Sequence, residues 1–277
     1  MKTNNRAGRT ALDEKLDSFR RQGYIVPPKN IIKTEKQIEA IRESAKINTA
    51  ILDHVAEHIR PGMTTEEIDE LVYTFTKGQG ATPAPLNYHG FPKSVCTSIN
   101  HEVCHGIPSK DRVLQEGDII NVDVSTIYHG YFSDASRMFQ IGEVSEEAAK
   151  LVAVAKECME KGIEQVKPWG LLGDVGAAIN AHAKAHGYSV VREIGGHGVG
   201  LAFHEDPYVS HVSKAGTGML LVPGMIFTIE PMVNIGTARV KEDRKNGWTI
   251  YTADGKLSAQ WESMVLVTET GYEILTC

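Results

Sequence analysis

The hydrophobic and polar positions divide the chain into helical and extended regions that alternate. In four segments, apolar residues recur every three or four positions, which is the spacing of an amphipathic α-helix. Elsewhere, short apolar runs broken by glycines are typical of β-strands. The predicted helices are residues 34–59, 64–77, 145–166 and 171–185, and the strand-rich regions are residues 94–138 and 188–277. This alternation predicts an α+β fold.

Signals for helix ends support these boundaries. Thr34-x-x-Gln37 and Thr64-x-x-Glu67 have the capping-box pattern, in which two side chains satisfy N–H groups at the start of a helix. Ser145 is placed to begin the third helix. Pro61-Gly62 ends the first helix, because both residues disfavour its continuation.

The two halves of the chain repeat the same order of elements. Arg60 and Lys167 open related proline-containing turns before a helix and lie 107 residues apart. Asp123 and Glu230, which follow related apolar runs, are separated by the same 107 residues. We infer a duplicated unit with a pseudo-twofold axis, in which these two acids occupy equivalent places. A site on that axis would take residues from both halves.

Composition narrows the class of protein. With 277 residues, 42% of them hydrophobic, the chain can form a sizeable core. A net charge of −6 gives no reason to expect specific nucleic-acid binding, and no apolar stretch approaches the ~20 residues of a membrane span. The N-terminus has no apolar signal core, and the four cysteines form no Cys-x-x-Cys pair. We therefore expect a cytoplasmic protein with free thiols and no membrane contact.

Residues 1–33 differ from the rest of the chain. They carry eight basic and three acidic side chains and end in Val26-Pro27-Pro28, where consecutive prolines disfavour a helix. We predict a basic N-terminal extension of residues 1–33 and a main domain of residues 34–277. The extension is expected either to pack on the main domain as a solvated arm or to contact an anionic assembly such as the ribosome.

Four carboxylates lie within or beside short apolar runs: Asp123, Asp134, Glu230 and Glu262. A buried carboxylate is costly unless a cation neutralises it, and no run places a lysine or arginine beside each of these acids. A bound metal ion is the simplest neutraliser. Asp123 and Asp134 also flank a probable hairpin with its loop near residues 127–130, which would bring them together across the strands.

A histidine in a glycine-rich segment adds a nitrogen donor. His197 lies in Gly195-Gly196-His197-Gly198, where glycines let the backbone approach closely and free the imidazole to point into a cavity. Four carboxylates and one imidazole are too many ligands for one tetrahedral zinc, and they suit two divalent ions that activate a water. These ligands accept cobalt, manganese, iron or zinc, so the identity of the metal stays open.

The other histidines have weaker signals. His105 and His204 are each either functional or hydrogen-bonded surface residues on local sequence alone. Two histidine pairs have i,i+4 spacing on predicted helices but lack the His-Glu-x-x-His pattern, and we interpret them as solvated side chains. These pairs are His54/His58 and His182/His186.

Several ordered segments carry a resemblance to a known family. They include Tyr88-His89-Gly90-Phe91-Pro92, Val103-Cys104-His105-Gly106-Ile107-Pro108, Gly195-Gly196-His197-Gly198-Val199-Gly200, Phe203-His204-Glu205, Ile229-Glu230-Pro231-Met232 and Gln260-Trp261-Glu262. In these segments, and over about residues 34–277, the chain resembles a type I methionine aminopeptidase. The resemblance implies the pita-bread fold, in which a duplicated unit forms a curved antiparallel sheet covered by helices. It also implies removal of the N-terminal initiator methionine from nascent proteins, with a small second residue preferred.

The resemblance assigns roles to individual residues. It implies that Asp123, Asp134, His197, Glu230 and Glu262 bind two divalent metal ions, with Asp134 and Glu262 bridging them.

At the scissile peptide, Glu230 is expected to act as general base and then acid, His204 to stabilise the oxyanion, and His105 to orient the substrate backbone. The resemblance also places Tyr88, Phe91, Cys96 and Trp248 around the methionine side chain, whereas on sequence alone these four residues equally fit ordinary core packing.

The sequence departs from the usual family pattern at some positions. Ser263-Met264 follow Glu262 where His-Thr is common, which keeps the ligand but changes the residues that support it. Phe91 replaces a frequent tyrosine, and Pro85 stands near a position often held by cysteine.

Three alternatives stay open from the residues. An Xaa-Pro aminopeptidase or prolidase of the same fold would share the metal ligands, although such enzymes usually carry an additional N-terminal domain. A non-catalytic peptide-binding module would typically have lost ligands. A mononuclear iron oxygenase is suggested only by His204-x-Asp206 and needs a distal histidine, and none follows His211.

Overall fold

Three of the predicted helices begin at the capping residues that the sequence supplies. The computed structural model describes residues 10–277. Thr34 and Thr64 each form a complete capping box, and Ser145 accepts a hydrogen bond from the first turn of its helix. The four predicted helices are confirmed, with boundaries that agree to within three residues. Within the described residues, the α-helices are α1 (Ala11–Arg21), α2 (Glu35–His58), α3 (Thr65–Gly78), α4 (Glu146–Ile163) and α5 (Leu172–Ala185).

Helix α1 lies in the basic extension, where none of the four predicted helices was placed. Thr10 caps α1 in a further capping box, and Leu16 is buried against the main core. Phe19 stacks on Trp169 with ring centroids 5.5 Å apart. The part of the extension that the structure describes therefore packs on the rest of the chain. Residues 1–9, which include three of the predicted basic side chains, lie outside the described residues.

The strands are short except for one long hairpin. Within residues 10–277, two 3₁₀ helices, Lys29–Ile31 and Tyr88–Gly90, interrupt the loops. The strands of the described chain are β1 (Thr82–Pro83), β2 (Cys96–Ile99), β3 (Glu102–Cys104), β4 (Ile119–Tyr128), β5 (Tyr131–Gln140), β6 (Ser189–Val190), β7 (Gly196–Gly198), β8 (Glu205–Val209), β9 (Ile226–Ile229), β10 (Met232–Asn234), β11 (Val240–Glu242), β12 (Ile250–Thr252), β13 (Ser258–Gln260), β14 (Ser263–Val267) and β15 (Tyr272–Ile274).

The strands pair antiparallel in four sheets. One contains β1, β4 and β2 in that order, with β5 completing the hairpin on β4, and another has the order β15-β14-β9-β7-β8. Two three-stranded sheets, β13-β10-β6 and β11-β12-β3, complete the set in the described residues. No helix in residues 10–277 is long and apolar enough to cross a bilayer.

Backbone hydrogen bonds confirm the internal repeat. In the first half, the Gly62 N–H donates to the Leu114 carbonyl at 2.8 Å. In the second half, the Trp169 N–H donates to the Leu221 carbonyl at 2.7 Å, and both partners lie 107 residues further along the chain. The β4–β5 hairpin of the first half corresponds to β9 paired with β14 in the second.

Each half buries the apolar stripe of its helices against its own strands. Helices α2 and α3 share a core with β4, in which Leu52 and Ile68 are buried with Val122. Helices α4 and α5 share a larger core with the strands of the second half, which includes Ile179 and the fully buried Phe227. Burying a side chain of this kind contributes about 1.5–3 kcal/mol, so both helix layers are held firmly in place.

The two halves meet beside the predicted metal ligands. The Glu262 N–H donates to the Ser136 carbonyl at 3.1 Å and joins β5 to the segment between β13 and β14. The Asn121 side-chain amide crosses the same junction to the Gln260 carbonyl at 2.8 Å. Residues from the two halves are thereby fixed against one another at this junction.

Candidate active site and metal centre

The β4–β5 hairpin presents the two predicted aspartates on one face. Its two-residue turn, His129-Gly130, sets the register so that Asp123 lies opposite Ser136 and Asp134 lies opposite Ser125. The two acids are therefore diagonal neighbours on the same side of the ladder. The predicted hairpin is confirmed.

Close backbone approach holds His197 on β7. A side chain at Gly196 or Gly198 would collide with a neighbouring strand, because an added Cβ would lie 2.3 Å from the Thr228 carbonyl oxygen or 2.0 Å from the Asp206 carbonyl oxygen. The imidazole Nδ1 lies 3.0 Å from the Gly198 carbonyl oxygen. Nδ1 therefore donates its proton there, which leaves the Nε2 lone pair free to face the carboxylates.

The second half supplies the two glutamates. Glu230 follows β9, and its Oε1 accepts a 2.8 Å hydrogen bond from the Thr228 hydroxyl, while its Oε2 lies 3.3 Å from the Gln260 amide nitrogen. Its backbone N–H donates to Nε2 of the buried His211 at 3.1 Å. Glu262 directly precedes β14 and lies opposite Ser136 of the hairpin.

These five side chains converge from separate elements. The His197 Nε2 lies 3.7 Å from Asp134 Oδ2 and 3.7 Å from Glu230 Oε1. Ligand atoms of Asp134, His197 and Glu262 all lie within 4.8 Å of one another. Asp123 and Glu230 line the same cavity.

The carboxylates are buried without a cationic partner. Asp134, Glu230 and Glu262 are 4%, 7% and 3% exposed. Among residues 10–277, no lysine or arginine forms an ion pair with these acids or with Asp123. Burial raises the pKa of Asp123 to about 7 and that of Glu230 to about 8.

The pKa values of Asp134 and Glu262 rise well above their usual range, first because of burial and then because the other acids lie close. A set of anionic oxygens with one free imidazole nitrogen and no organic counter-ion fits divalent metal cations.

His204 lies beside this centre and is bonded to an aromatic hydroxyl. Its Nδ1 is 2.9 Å from the Tyr88 hydroxyl, and its ring centroid is 4.1 Å from that of His197. Burial, with the neighbouring His197 and His105 adding to it, lowers the pKa of His204 to about 3. The ring is therefore neutral at physiological pH, and a proton on Nε2 is available to donate when Tyr88 donates to Nδ1.

His105 also lines the cavity, and its backbone is strained. It has a left-handed conformation with φ of 56°, and burial lowers its pKa. The following Gly106 lies directly against β2, since an added Cβ there would be 1.9 Å from the Thr97 carbonyl oxygen. This close approach positions the His105 ring toward the cavity that it lines.

An apolar wall adjoins the carboxylates. Phe91 and Trp248 meet edge to face with ring centroids 5.1 Å apart, and Cys96 and Tyr88 lie on the same cavity. The cavity has a volume of about 420 Å³ and is lined by all eleven residues that the sequence singles out.

Other lining residues have no signal in the sequence. Phe203 packs on Tyr88 at 4.8 Å between ring centroids, and its position before His204 is the sole local indication. The remaining unpredicted lining residues are Pro85, Ser125, Glu193, Ile194, Gly195 and Tyr208. The sequence places Pro85 near a variable family position without assigning it to the cavity.

Met264, two residues after Glu262, contacts the backbone of Asp134 in the β4–β5 hairpin. The Met264 sulfur accepts the Asp134 N–H at 3.0 Å. The hydroxyl of Thr276 donates to the Asp134 carbonyl at 2.8 Å and accepts the Met264 N–H at 2.8 Å. The backbone of Asp134 is thus held by a thioether and by a residue from the C-terminal segment.

The family model for metallopeptidase family M24 matches residues 39–269. The chain belongs to metallopeptidase family M24. M24 membership implies that divalent metal ions are bound, and it leaves the iron-oxygenase alternative without support.

Relatives and solved structures agree with this membership. Methionine aminopeptidase A of Synechocystis is 54% identical over 88% of this chain and 96% of its own length. The crystal structure of methionine aminopeptidase from Rickettsia prowazekii superimposes with a TM-score of 0.87 at 46% identity, covering 89% of this chain and 99% of that one.

The prolidase from Pyrococcus furiosus superimposes with a TM-score of 0.70 at 25% identity, covering 96% of this chain and 68% of that one. The M24 pita-bread fold and the resemblance to type I methionine aminopeptidases are confirmed.

Proposed function

We propose that this protein hydrolyses the first peptide bond of polypeptides that begin with methionine. The observation that carries the proposal is the single cavity in which an apolar wall adjoins four buried carboxylates and three histidines. The length of sequence shared with methionine aminopeptidases supports the same substrate.

In the proposed centre, Asp123, Asp134, His197, Glu230 and Glu262 would hold two divalent metal ions. Bound there, such ions supply a water that is acidic enough to act as a nucleophile at neutral pH and polarise the peptide carbonyl. Cobalt, manganese, iron and zinc all suit these ligands.

Glu230 moves the proton in the proposed reaction. Its carboxylate accepts a proton from the attacking water and returns it to the leaving amine. Thr228 and Gln260 hold its two oxygens in place, which fixes the carboxylate without neutralising it.

His204 stabilises the negative charge that develops on the carbonyl oxygen. The Tyr88 hydroxyl donates to Nδ1, so that Nε2 carries the proton and faces the cavity as a neutral donor. His105 orients the substrate backbone. In this scheme Tyr88 has two contacts, one with the methionine side chain and one with His204.

The apolar wall recognises the methionine side chain. Phe91, Cys96 and Trp248 together with Tyr88 offer aromatic and thiol surface, to which a flexible thioether adapts well. Norleucine, in which a methylene replaces the sulfur, has nearly the same shape, and an apolar pocket discriminates weakly against such a side chain, so norleucine substrates should be cleaved slowly and not excluded. A small second residue is expected to be preferred.

We also propose that the substrates are nascent cytoplasmic proteins and that the basic extension contacts the ribosome. Of its described basic residues, Lys33 is buried against Glu205, whereas Arg20 and Arg21 are exposed. The double variant Arg20→Glu/Arg21→Glu should lower salt-sensitive co-sedimentation with ribosomes. Unchanged co-sedimentation would argue against this contact while leaving the peptidase proposal intact.

The substrate is tested by comparing Met-Ala-Ser with Ala-Pro peptides, each with and without a chelator. We expect release of methionine from the first peptide and loss of this release when metal is removed. Release of the residue before proline, without release of methionine, would favour the Xaa-Pro peptidase suggested by the prolidase-like structures. No hydrolysis with any of the four metals would favour a peptide-binding module.

A further inference from the structure

A second group of potential metal ligands lies on the helical surface of the second half. His182 and His186 are one turn apart at the end of α5, with ring centroids 4.7 Å apart. Glu157 faces them from α4, and its Oε2 lies 2.7 Å from His182 Nε2 and 4.0 Å from His186 Nε2. We call these three residues the α4–α5 trio.

The trio is built on rigid elements. Helices α4 and α5 pack through the main core, and an added Cβ at Gly162 would lie 2.7 Å from the Ile179 side chain, so the two helices approach closely. His182 lies in the last turn of α5, and His186 is its C-cap. The carbonyl groups at a helix C-terminus favour a cation at this position.

The neighbouring lysines form ion pairs with other glutamates, so Glu157 interacts with the two histidines. Lys156 and Lys161 pair with Glu160 and Glu164 on the same helix. The exposed fractions of the trio's side chains are 21% for His182, 35% for His186 and 47% for Glu157. A cation can therefore reach the ligand atoms from solvent and keep water on its open side.

We propose that Glu157, His182 and His186 bind one zinc-type divalent cation that links α4 to α5. Two imidazoles and one carboxylate form a three-ligand set that zinc accepts, with water in the fourth position. Zinc bonds of about 2.0–2.2 Å require ligand atoms roughly 3–3.5 Å apart, and the distances of 2.7 and 4.0 Å lie on either side of this range. Zinc binding would require the Glu157 carboxylate to move away from His182 and toward His186.

This site shares no residue with the proposed catalytic centre, and its cation would have a structural role. None of its residues lines the 420 Å³ cavity. It adds a third cation per chain and stabilises the contact between two helices, so metal content measured on the intact protein would exceed what catalysis needs.

A similar group on α2 provides a matched control. His54, Glu57 and His58 also place ligand atoms within 4.8 Å of one another. All three come from one helix, and His58 Nδ1 is already 2.8 Å from the His54 carbonyl oxygen. A cation there would link no second element, so this group is expected to bind zinc weakly.

The test is the amount of zinc bound by the full-length protein after its catalytic centre has been filled with manganese. Zinc chloride is titrated into the wild type, His182→Ala/His186→Ala and His54→Ala/His58→Ala, followed by calorimetry and metal analysis. The first double variant should bind one zinc fewer per chain, with affinity at this site at least ~100-fold lower. The second should match the wild type. Zinc that exchanges into the catalytic centre does so in all three proteins, so the difference in bound zinc between them reports the surface site.

Two readouts separate binding from damage to the fold. Hydrolysis of Met-Ala-Ser should be the same in all three proteins, and zinc should raise the melting temperature of the wild type more than that of His182→Ala/His186→Ala. Glu157→Gln, which keeps both imidazoles, serves as a second variant if the double substitution unfolds. Equal zinc binding in the wild type and the α4–α5 variants would overturn the proposal.

Discussion

The buried centre and the α4–α5 trio use the same kinds of ligand in opposite surroundings. In the centre, Glu230 and Glu262 are 7% and 3% exposed, and the pKa of each acid is raised. In the trio, Glu157 is 47% exposed and is solvated whether or not a cation is bound. The need for a metal therefore arises from burial of charge and not from ligand spacing.

The comparison predicts that metal removal acts on the two regions very differently. Dialysis against a chelator should abolish hydrolysis of Met-Ala-Ser, because the proposed nucleophile and carbonyl activation both depend on the buried cations. Adding back manganese should restore the rate, measured as kcat/KM. Full activity in protein shown by metal analysis to be metal-free would refute the dinuclear mechanism.

A single carboxylate-to-amide change can be made in both regions. Glu230→Gln should lower kcat by at least ~10²-fold, because the amide cannot accept the proton of the attacking water. Glu157→Gln makes the same chemical change on the surface and should leave kcat unaltered. Circular dichroism checks that both variants are folded. Near-normal turnover by Glu230→Gln would remove this residue from the proton transfer.

The metal-free protein should lose stability as the pH rises. In the folded state the pKa of Asp123 is raised from 3.8 to about 7 and that of Glu230 from 4.5 to about 8. These two acids therefore keep protons in the folded state that they lose in the unfolded state, which lowers the free energy of unfolding as the pH rises towards 8. Below about pH 6.5 the lowered pKa of His204 and His211 acts in the opposite direction, because these histidines take up protons only when the chain unfolds.

Between pH 7 and pH 9, where histidines of the unfolded chain are largely neutral, the fall should be about 2 kcal/mol, since each unit of pKa corresponds to about 1.4 kcal/mol. Urea unfolding at pH 7 and pH 9 measures it. Manganese should remove most of the dependence, because cations neutralise the same carboxylates. Equal stability of the metal-free protein at both pH values would contradict the raised pKa values of Asp123 and Glu230.

Local signals predict much of the fold, while the support of the site depends on distant residues. Thr34 and Thr64 mark their helices because capping involves only neighbours in sequence. The hairpin that joins Asp123 to Asp134 is equally local. By contrast, Tyr88 meets His204 across 116 positions, a contact that only tertiary packing creates.

The α4–α5 trio illustrates the same limit. The i,i+4 spacing of His182 and His186 is visible in the sequence, but the third ligand lies 25 positions earlier on another helix. For the same reason, the replacement of His-Thr by Ser263-Met264 could not be interpreted from the sequence. The compensating contact comes from Thr276, which lies 142 positions from Asp134.

That contact provides the smallest of the expected effects. Thr276→Val keeps the shape of the side chain but leaves the Asp134 carbonyl and the Met264 N–H without their buried partner. We expect a loss of about 1–3 kcal/mol in the free energy of unfolding and a ~10–100-fold weaker affinity for metal in the buried centre.

Thr276→Ser retains the hydroxyl and should restore both. Zinc binding at the α4–α5 trio should not change in either variant, because no contact of Thr276 reaches that surface. If Thr276→Val lowered stability without altering metal affinity, the hydroxyl would support the fold without positioning the Asp134 ligand.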